Sequence, residues 1–309
     1  MASESGRAQM TVVDWLLDSD PAIRWQVMRD LLDESAEAVA MERARVANEG
    51  WGGRLLALQR PDGHWGDDAS NPEWITVLAL FQLRDMGLDP RSDEARRAVG
   101  LVRSNLTWHW WGKRFFDGEV EPCINGRVLA ISAYLGEDSH GLVDRLLGEQ
   151  MADGGWNCEQ ENGSTRGSFN STINVLEGLL EHERATGADP TVTASRERGH
   201  EYLLERRMLR RRSTGEVIEP EFVQLSSPIT YHYDVLRGLD YLRAAGASPD
   251  ARVAEAVEIV KSKGGGDGRW PIDIVHDDDL QFDMGEALGK PSRWITLRAL
   301  RVLSWAREV

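Results

Sequence analysis

The chain has 309 residues, 41% hydrophobic and 28% charged, which is the balance of a globular protein rather than a disordered or fibrous one. Its formal charge is -15, from 36 Lys and Arg against 51 Asp and Glu, which speaks against nucleic acid, because such binding depends on clustered cations that release counterions. No apolar run approaches the ~18 residues of a transmembrane segment, and two cysteines are too few for a disulfide framework.

Residues 1–10 are polar and lack a basic segment followed by an apolar run. They read as a flexible tail without an export signal, which places the protein in the cytoplasm. Residues 11–309 read as a single domain. Six segments, beginning at Asp20, Asn71, Glu121, Arg166, Ser227 and Lys290, each open on a turn residue and continue with helical apolar spacing. Five carry a proline in the equivalent place (Pro21, Pro72, Pro122, Pro228 and Pro291) and one carries Gly167. Proline suits the first helical position, where its missing N–H costs nothing, so these prolines predict helix starts. The second and sixth segments share Trp-Ile-Thr, at Trp74–Thr76 and Trp294–Thr296.

Between these segments lie more charged helices, predicted over about 36–48, 92–105, 140–150, 190–208 and 249–262, with Thr11–Asp18 as the first element of that set. The first set, poor in charge, is expected to be buried nearly all round, whereas the second needs one wet face. Inner and outer helices therefore alternate, and the predicted fold is an all-α toroid, an α6/α6 barrel in which each repeat buries its apolar face on its neighbours.

The turns repeat as well. Gln59 to Trp65 and Gln150 to Trp156 share Gln, Asp-Gly and Trp at matching positions; Asp267-Gly268-Arg269-Trp270 is a weaker third copy, with Gly264 where Gln would stand. Asp-Gly makes a tight turn with positive φ, Trp covers the gap between repeats, and Gln caps a helix end.

QxxxGxW turns punctuating an α/α ring resemble those of the terpenoid cyclase and protein prenyltransferase superfamily, of the squalene-cyclase-like type, from about residue 11 to the end. The resemblance implies a deep, aromatic-lined cavity that takes an isoprenoid or other lipid and cyclises or transfers it. Members include cyclases started by an Asp-rich acid motif, to which Asp277-Asp278-Asp279 is the nearest stretch here, and zinc-dependent prenyltransferases. Two alternatives stand beside this reading: a ring that binds a ligand or partner without catalysis, and a carbohydrate-active hydrolase or lyase with paired carboxylates, such as Asp234 with Asp283 or Glu286.

If the inner helices are in register, their first turns reach one mouth. That expectation assembles Arg24, Trp25, Trp74, Asn125, Arg127, Asn170, Tyr233, Arg293 and Trp294 as a substrate-binding set, with helix N-termini and arginines favouring an anion such as a diphosphate. Asp234, kept protonated by burial and steered by His232, is the candidate proton donor. Aromatic faces would stabilise a developing cation. Cys123, Cys158 and His232 are candidate metal ligands, with zinc or magnesium the metal left open. The expected partner is a hydrophobic or anionic small molecule.

Overall fold

The computed structural model describes residues 11–66, 71–109, 112–276 and 282–307; the acidic run Asp277–Asp279 lies outside them. In chain order the helices among the described residues are α1 (Val12–Leu17), α2 (Pro21–Asp30), α3 (Ala36–Ala44), α4 (Gly50–Ala57), α5 (Pro72–Met86), α6 (Asp93–Asn105), α7 (Pro122–Leu135), α8 (His140–Gly148), α9 (Phe169–Thr186), α10 (Pro190–Leu204), α11 (Val235–Ala244), α12 (Ala254–Ser262) and α13 (Arg293–Trp305). The inner set is α2, α5, α7, α9, α11 and α13. The outer set is α1, α4, α6, α8, α10 and α12, with α3 as an addition.

The inner helices close a ring. The Trp25 indole of α2 donates to the Met86 carbonyl at the end of α5 (2.8 Å), Arg127 of α7 stacks over Phe81 of α5, and Arg237 of α11 pairs with Glu177 of α9. Helix α11 packs on α13, and Arg301 of α13 donates back to Gln26 of α2 (2.8 Å). Last meets first, so the domain is an α/α toroid rather than an open stack.

Three inner helices begin on their prolines, Pro21, Pro72 and Pro122. The fifth and sixth do not. Helix α11 begins at Val235, capped by Asp234, and α13 at Arg293, capped by Ser292. At both places a short polar side chain accepts a backbone N–H of the first turn, which is the stronger start signal, and Pro228 and Pro291 belong to the connections before it. Helix α4, rich in glycine, was not anticipated from the apolar spacing.

The repeated turns do the same work each time. Indole N–H groups of Trp65, Trp156 and Trp270 donate to Leu55, Leu146 and Val260, ten residues back in the preceding outer helix. The backbone N–H of each tryptophan donates to a threonine hydroxyl of the next inner helix, namely Thr76, Thr172 and Thr296. Gln59 and Gln150 each donate both to the glycine carbonyl of their own turn and to the next outer helix, at Ala98 and Ser195. Gly264 has no side chain to make this link. The first two turns thus tie one inner and two outer helices, and the third ties one of each.

The closest approach in the ring is between α7 and α9. A Cβ at Gly126 would stand 2.5 Å from the Asn174 carbonyl oxygen, and one at Gly178 would collide with the backbone carbonyl of Gly126. We expect Gly178→Ala to destabilise by about 1–3 kcal/mol, because backbone cannot step aside as a side chain can. Gly100→Ala on α6, where a Cβ meets nothing within 4 Å, should instead stabilise by about 0.5–1 kcal/mol through helix propensity. Urea unfolding of the two variants checks the contrast; equal effects would refute the close approach. Among the described residues no helix is long and apolar enough to cross a membrane.

Candidate functional site

The lumen differs from the aromatic cavity expected. Inner helices carry charged residues within their apolar sequences, and the ring turns these inward. A chamber of about 160 Å³ is lined by Arg84, Asp85, Glu177, Glu181, Arg184, Arg237, Asp240, Arg298 and Arg301, together with Gln26, Tyr241 and Trp294. Its carboxylates are paired: Asp85 with Arg84 (2.8 Å), Glu177 with Arg237 (2.7 Å), Glu181 with Arg184 (3.5 Å) and Asp240 with Arg243 (2.7 Å). Burial by itself would push the Glu177 carboxyl up, but Arg237, helped by Arg84 and Arg127, holds it below its ordinary 4.5. Glu177 is thereby kept as an acceptor.

Arg301 is shared between Asp30 and Gln26. Arg298, 6% exposed, forms no ion pair among the described residues, and its Nη1 has no hydrogen-bond partner. Beside it the Trp294 indole nitrogen is also buried without a partner, as are Nη1 of Arg84, Nε of Arg301 and Oε1 of Gln82. Arg127, fully buried on α7, has all three guanidinium nitrogens without a hydrogen-bond partner among the described residues and lies over the Phe81 ring at 4.1 Å. Burial first, and then the charge of Arg237, lower its pKa to about 9. Unpartnered buried cations and donors are costly. Of these groups Arg84, Arg298, Arg301 and Trp294 line the chamber.

Two further cavities follow, the first sharing a wall with the chamber and the second sharing one with the first. A neck of about 20 Å³ lies between Gln82, Asp85, Met86, Pro228, Ile229, Met284, Trp294 and Arg298, room for about one water-sized group. Beyond it a mouth of about 270 Å³ is formed by Leu78, Gln82, Pro228, Ile272, Phe282 and Met284, and by the polar Ser227, Thr230, His276, Asp283 and Glu286 as well. Methionines at the constriction can change rotamer at little cost.

The residues expected to converge on one mouth are spread over several places. Trp294 lines the neck and chamber and stacks on Trp51 (6.1 Å). Trp74 meets Tyr231 edge-on at 6.1 Å. Asn170 holds the connection before α11 by accepting the Tyr233 N–H (2.8 Å), and Asn125 exchanges hydrogen bonds with the Glu119 backbone. Tyr233 packs among Phe169 and Phe222 and donates to the Met208 carbonyl; burial drives its pKa up. Arg24 binds Glu42 and the Ser19 carbonyl, Trp25 has the Arg29 and Arg43 guanidiniums over its ring, and Arg293 reaches the Asp18 carbonyl and stacks over Trp15. Arg24 and Arg293 thus face the outer layer, whereas Trp25 is wedged between α2 and the end of α5. The helices enter the lumen at different depths: Gln26, in the second turn of α2, donates to Asp85 near the end of α5 (3.2 Å).

Asp234 is 2% exposed and caps α11; its oxygens accept from the Arg237 N–H and from the Ser226 N–H and hydroxyl. All three are donors to it, so both of its oxygens are used in holding the start of α11. Glu286 likewise accepts from Ser227, Ser292 and the Arg293 N–H. His232 stacks between Tyr231 (3.9 Å) and His276 (3.6 Å).

Of the candidate metal ligands, the fold brings Cys123 and Cys158 together, with sulfurs 2.6 Å apart. Glu121, not His232, is the third donor in reach. Two sulfurs and a carboxylate oxygen are thus the donors that the fold gathers here. Hydrogen bonds from Cys123 and from the Ser171 hydroxyl lower the Cys158 pKa. Sequence reasoning missed Glu121 and the lumen arginines. The latter had a signal, since Arg84, Arg237, Arg298 and Arg301 interrupt segments that are otherwise apolar, and a buried charge demands a partner.

Fold and site together define a closed α/α ring with a charged lumen. No family model matches the chain, and no curated protein matches it. Solved structures do. The chain is 16% identical to a protein from Actinoplanes over 94% of its own length and 90% of the other (TM-score 0.47). It is 17% identical to the apo type II terpene cyclase MstE from Scytonema, over 92% and 87% (TM-score 0.46). With a glycosyl hydrolase family 88 protein from Bacteroides vulgatus the identity is 13%, over 93% and 90% (TM-score 0.45). At this distance nothing about activity passes to this chain.

Proposed function

We propose that the protein is a ligand-binding ring for a small amphiphilic anion, such as a short prenyl or acyl phosphate. The anionic group enters the arginine chamber, and the apolar part lies along the neck, once Met86 and Met284 turn aside, and against Leu78, Ile272 and Phe282 of the mouth. The observation that carries this reading is Arg298: a buried guanidinium without an ion-pair partner, beside the unpartnered Trp294 indole, on the wall shared by neck and chamber. Five arginines and four carboxylates line the chamber, so one cation is left to a ligand. Charge-assisted bonds to a phosphate or carboxylate would replace the missing partners. Because each chamber carboxylate is already in an ion pair, binding is favoured over cyclisation started by a carboxylic acid.

Thermal unfolding in the presence of pyrophosphate, a short prenyl diphosphate and the matching uncharged alcohol tests the reading. The anions should stabilise the protein, by about 2.7 kcal/mol at a hundredfold excess over Kd, and the alcohol should not. Arg298→Met, which removes an uncompensated charge, should leave the free protein at least as stable while weakening anion binding by tenfold or more, about 1.4 kcal/mol. No stabilisation by any of these anions at millimolar concentration, or equal stabilisation of the variant, removes the reading.

A further inference from the structure

Where the third and fourth repeats meet, away from the lumen, one carboxylate oxygen and two sulfurs lie within 4.8 Å of one another. Cys123 stands in the first turn of α7, two residues after Glu121, which precedes the helix and uses no side-chain oxygen to cap it. Cys158 follows the Trp156 turn, held there by its own N–H to the Ser171 hydroxyl (3.2 Å). The sulfurs are 2.6 Å apart, and Cys123 Sγ is 3.4 Å from Glu121 Oε2. Two thiolates on one tetrahedral zinc stand about 3.8 Å apart, so a metal bound here requires the two side chains to part by a small rotation. Both thiols are free.

The surroundings select a cation. A groove of about 620 Å³ opens beside the cluster, and Glu119, Glu121, Glu149, Glu159 and Glu161 line it with no Lys or Arg in its wall. Arg145 supports that wall through Glu149 and the carbonyls of Glu119 and Val120, yet Glu149 keeps a buried Oε2 without a partner. A wall of one sign raises the local concentration of the opposite charge.

We propose that Glu121, Cys123 and Cys158 form a site for a soft divalent metal of the zinc class. Thiolate and carboxylate are zinc donors, and three protein ligands leave a fourth position for water or a ligand in the groove. Magnesium, which takes oxygen ligands, is excluded by the two sulfurs. Binding replaces two S–H bonds by two metal–sulfur bonds and releases two protons, with no electron transferred. A disulfide would make no use of Glu121 or of the acidic wall. None of the three residues lines the chamber, neck or mouth, so this site and the anion site stand or fall separately.

The test is titration of the reduced, metal-free full chain with cobalt(II), followed by zinc. One equivalent of cobalt should develop sulfur-to-metal charge-transfer absorption, zinc should displace it, and two protons should be released per metal. Cys158→Ser should abolish the absorption, and Glu121→Gln should keep the helical circular dichroism while weakening binding by about tenfold or more. Should Cys158→Ser fail to fold, protection of both thiols by zinc against a thiol reagent, lost in Glu121→Gln, decides the matter. Reduced wild type that takes up no cobalt, unchanged affinity in Cys158→Ser, or a pair that only oxidises to a disulfide would each overturn the proposal.

Discussion

Trp156→Ala is expected to lower stability by about 3–5 kcal/mol, the usual cost of emptying a large aromatic site in a core. The side chain is fully buried, and its ring fills the space between the outer helices α8 and α10 and the start of the inner helix α9. Two effects add. The vacated volume cannot collapse, because Gly199 of α10 already lies against the indole edge and the backbones around it are held by the turn. The Leu146 carbonyl also loses the indole N–H that satisfies it at 2.7 Å. Trp156→Phe separates the two, since it keeps most of the ring and forfeits only the hydrogen bond, at about 1–3 kcal/mol. Urea unfolding monitored by circular dichroism measures both; a loss below about 1 kcal/mol for Trp156→Ala would mean that the turn is not what joins the repeats.

Arg237→Ala should be comparably damaging, about 3–5 kcal/mol, for an electrostatic reason. The guanidinium is 1% exposed and gives every donor away: two bonds to Glu177, one to Asn174, and one each to the carbonyls of Thr230 and His232. It holds α11 to α9 and also shapes the connection that carries Tyr231 and His232. Without it Glu177 is a buried charge missing its principal partner. The pH dependence follows from the lowered pKa of Glu177. A carboxyl held below its unfolded value of 4.5 contributes its stability in full above that pH, and loses it as pH falls through the lower folded-state value. In Arg237→Ala this contribution is gone, so the gap between variant and wild type should be widest near neutrality and narrow toward acid. A gap independent of pH would show the loss to be one of packing alone. Arg237→Met combined with Glu177→Met, which removes both charges, should recover much of the stability.

These two side chains also mark how far local reasoning reaches. The tryptophan turn could be read from seven residues, because Asp-Gly, Gln and Trp act within a single turn and its flanking helices. Arg237 could be read only as an arginine in a helix. That it closes on Glu177, sixty residues earlier, follows from the ring. The same holds for Cys123 and Cys158, whose separation of 35 residues carries no metal-site spacing, and for Glu121, which no spacing rule would single out.

What the sequence by itself determined was the alternation of inner and outer helices and the chemistry of the turns between them, since apolar periodicity, polar caps and positive-φ turns depend on neighbours a few residues apart. What the tertiary structure decided was the depth at which each helix stands in the ring, and therefore which side chains share the lumen. Aligning helix starts put Arg24, Trp25 and Arg293 level with Trp74, whereas packing sets Gln26 of α2 against Asp85 of α5, places Trp25 against the end of α5 and turns Arg24 and Arg293 outward. Axial offset between packed helices is fixed by how their surfaces interlock, and no count along one chain segment contains it.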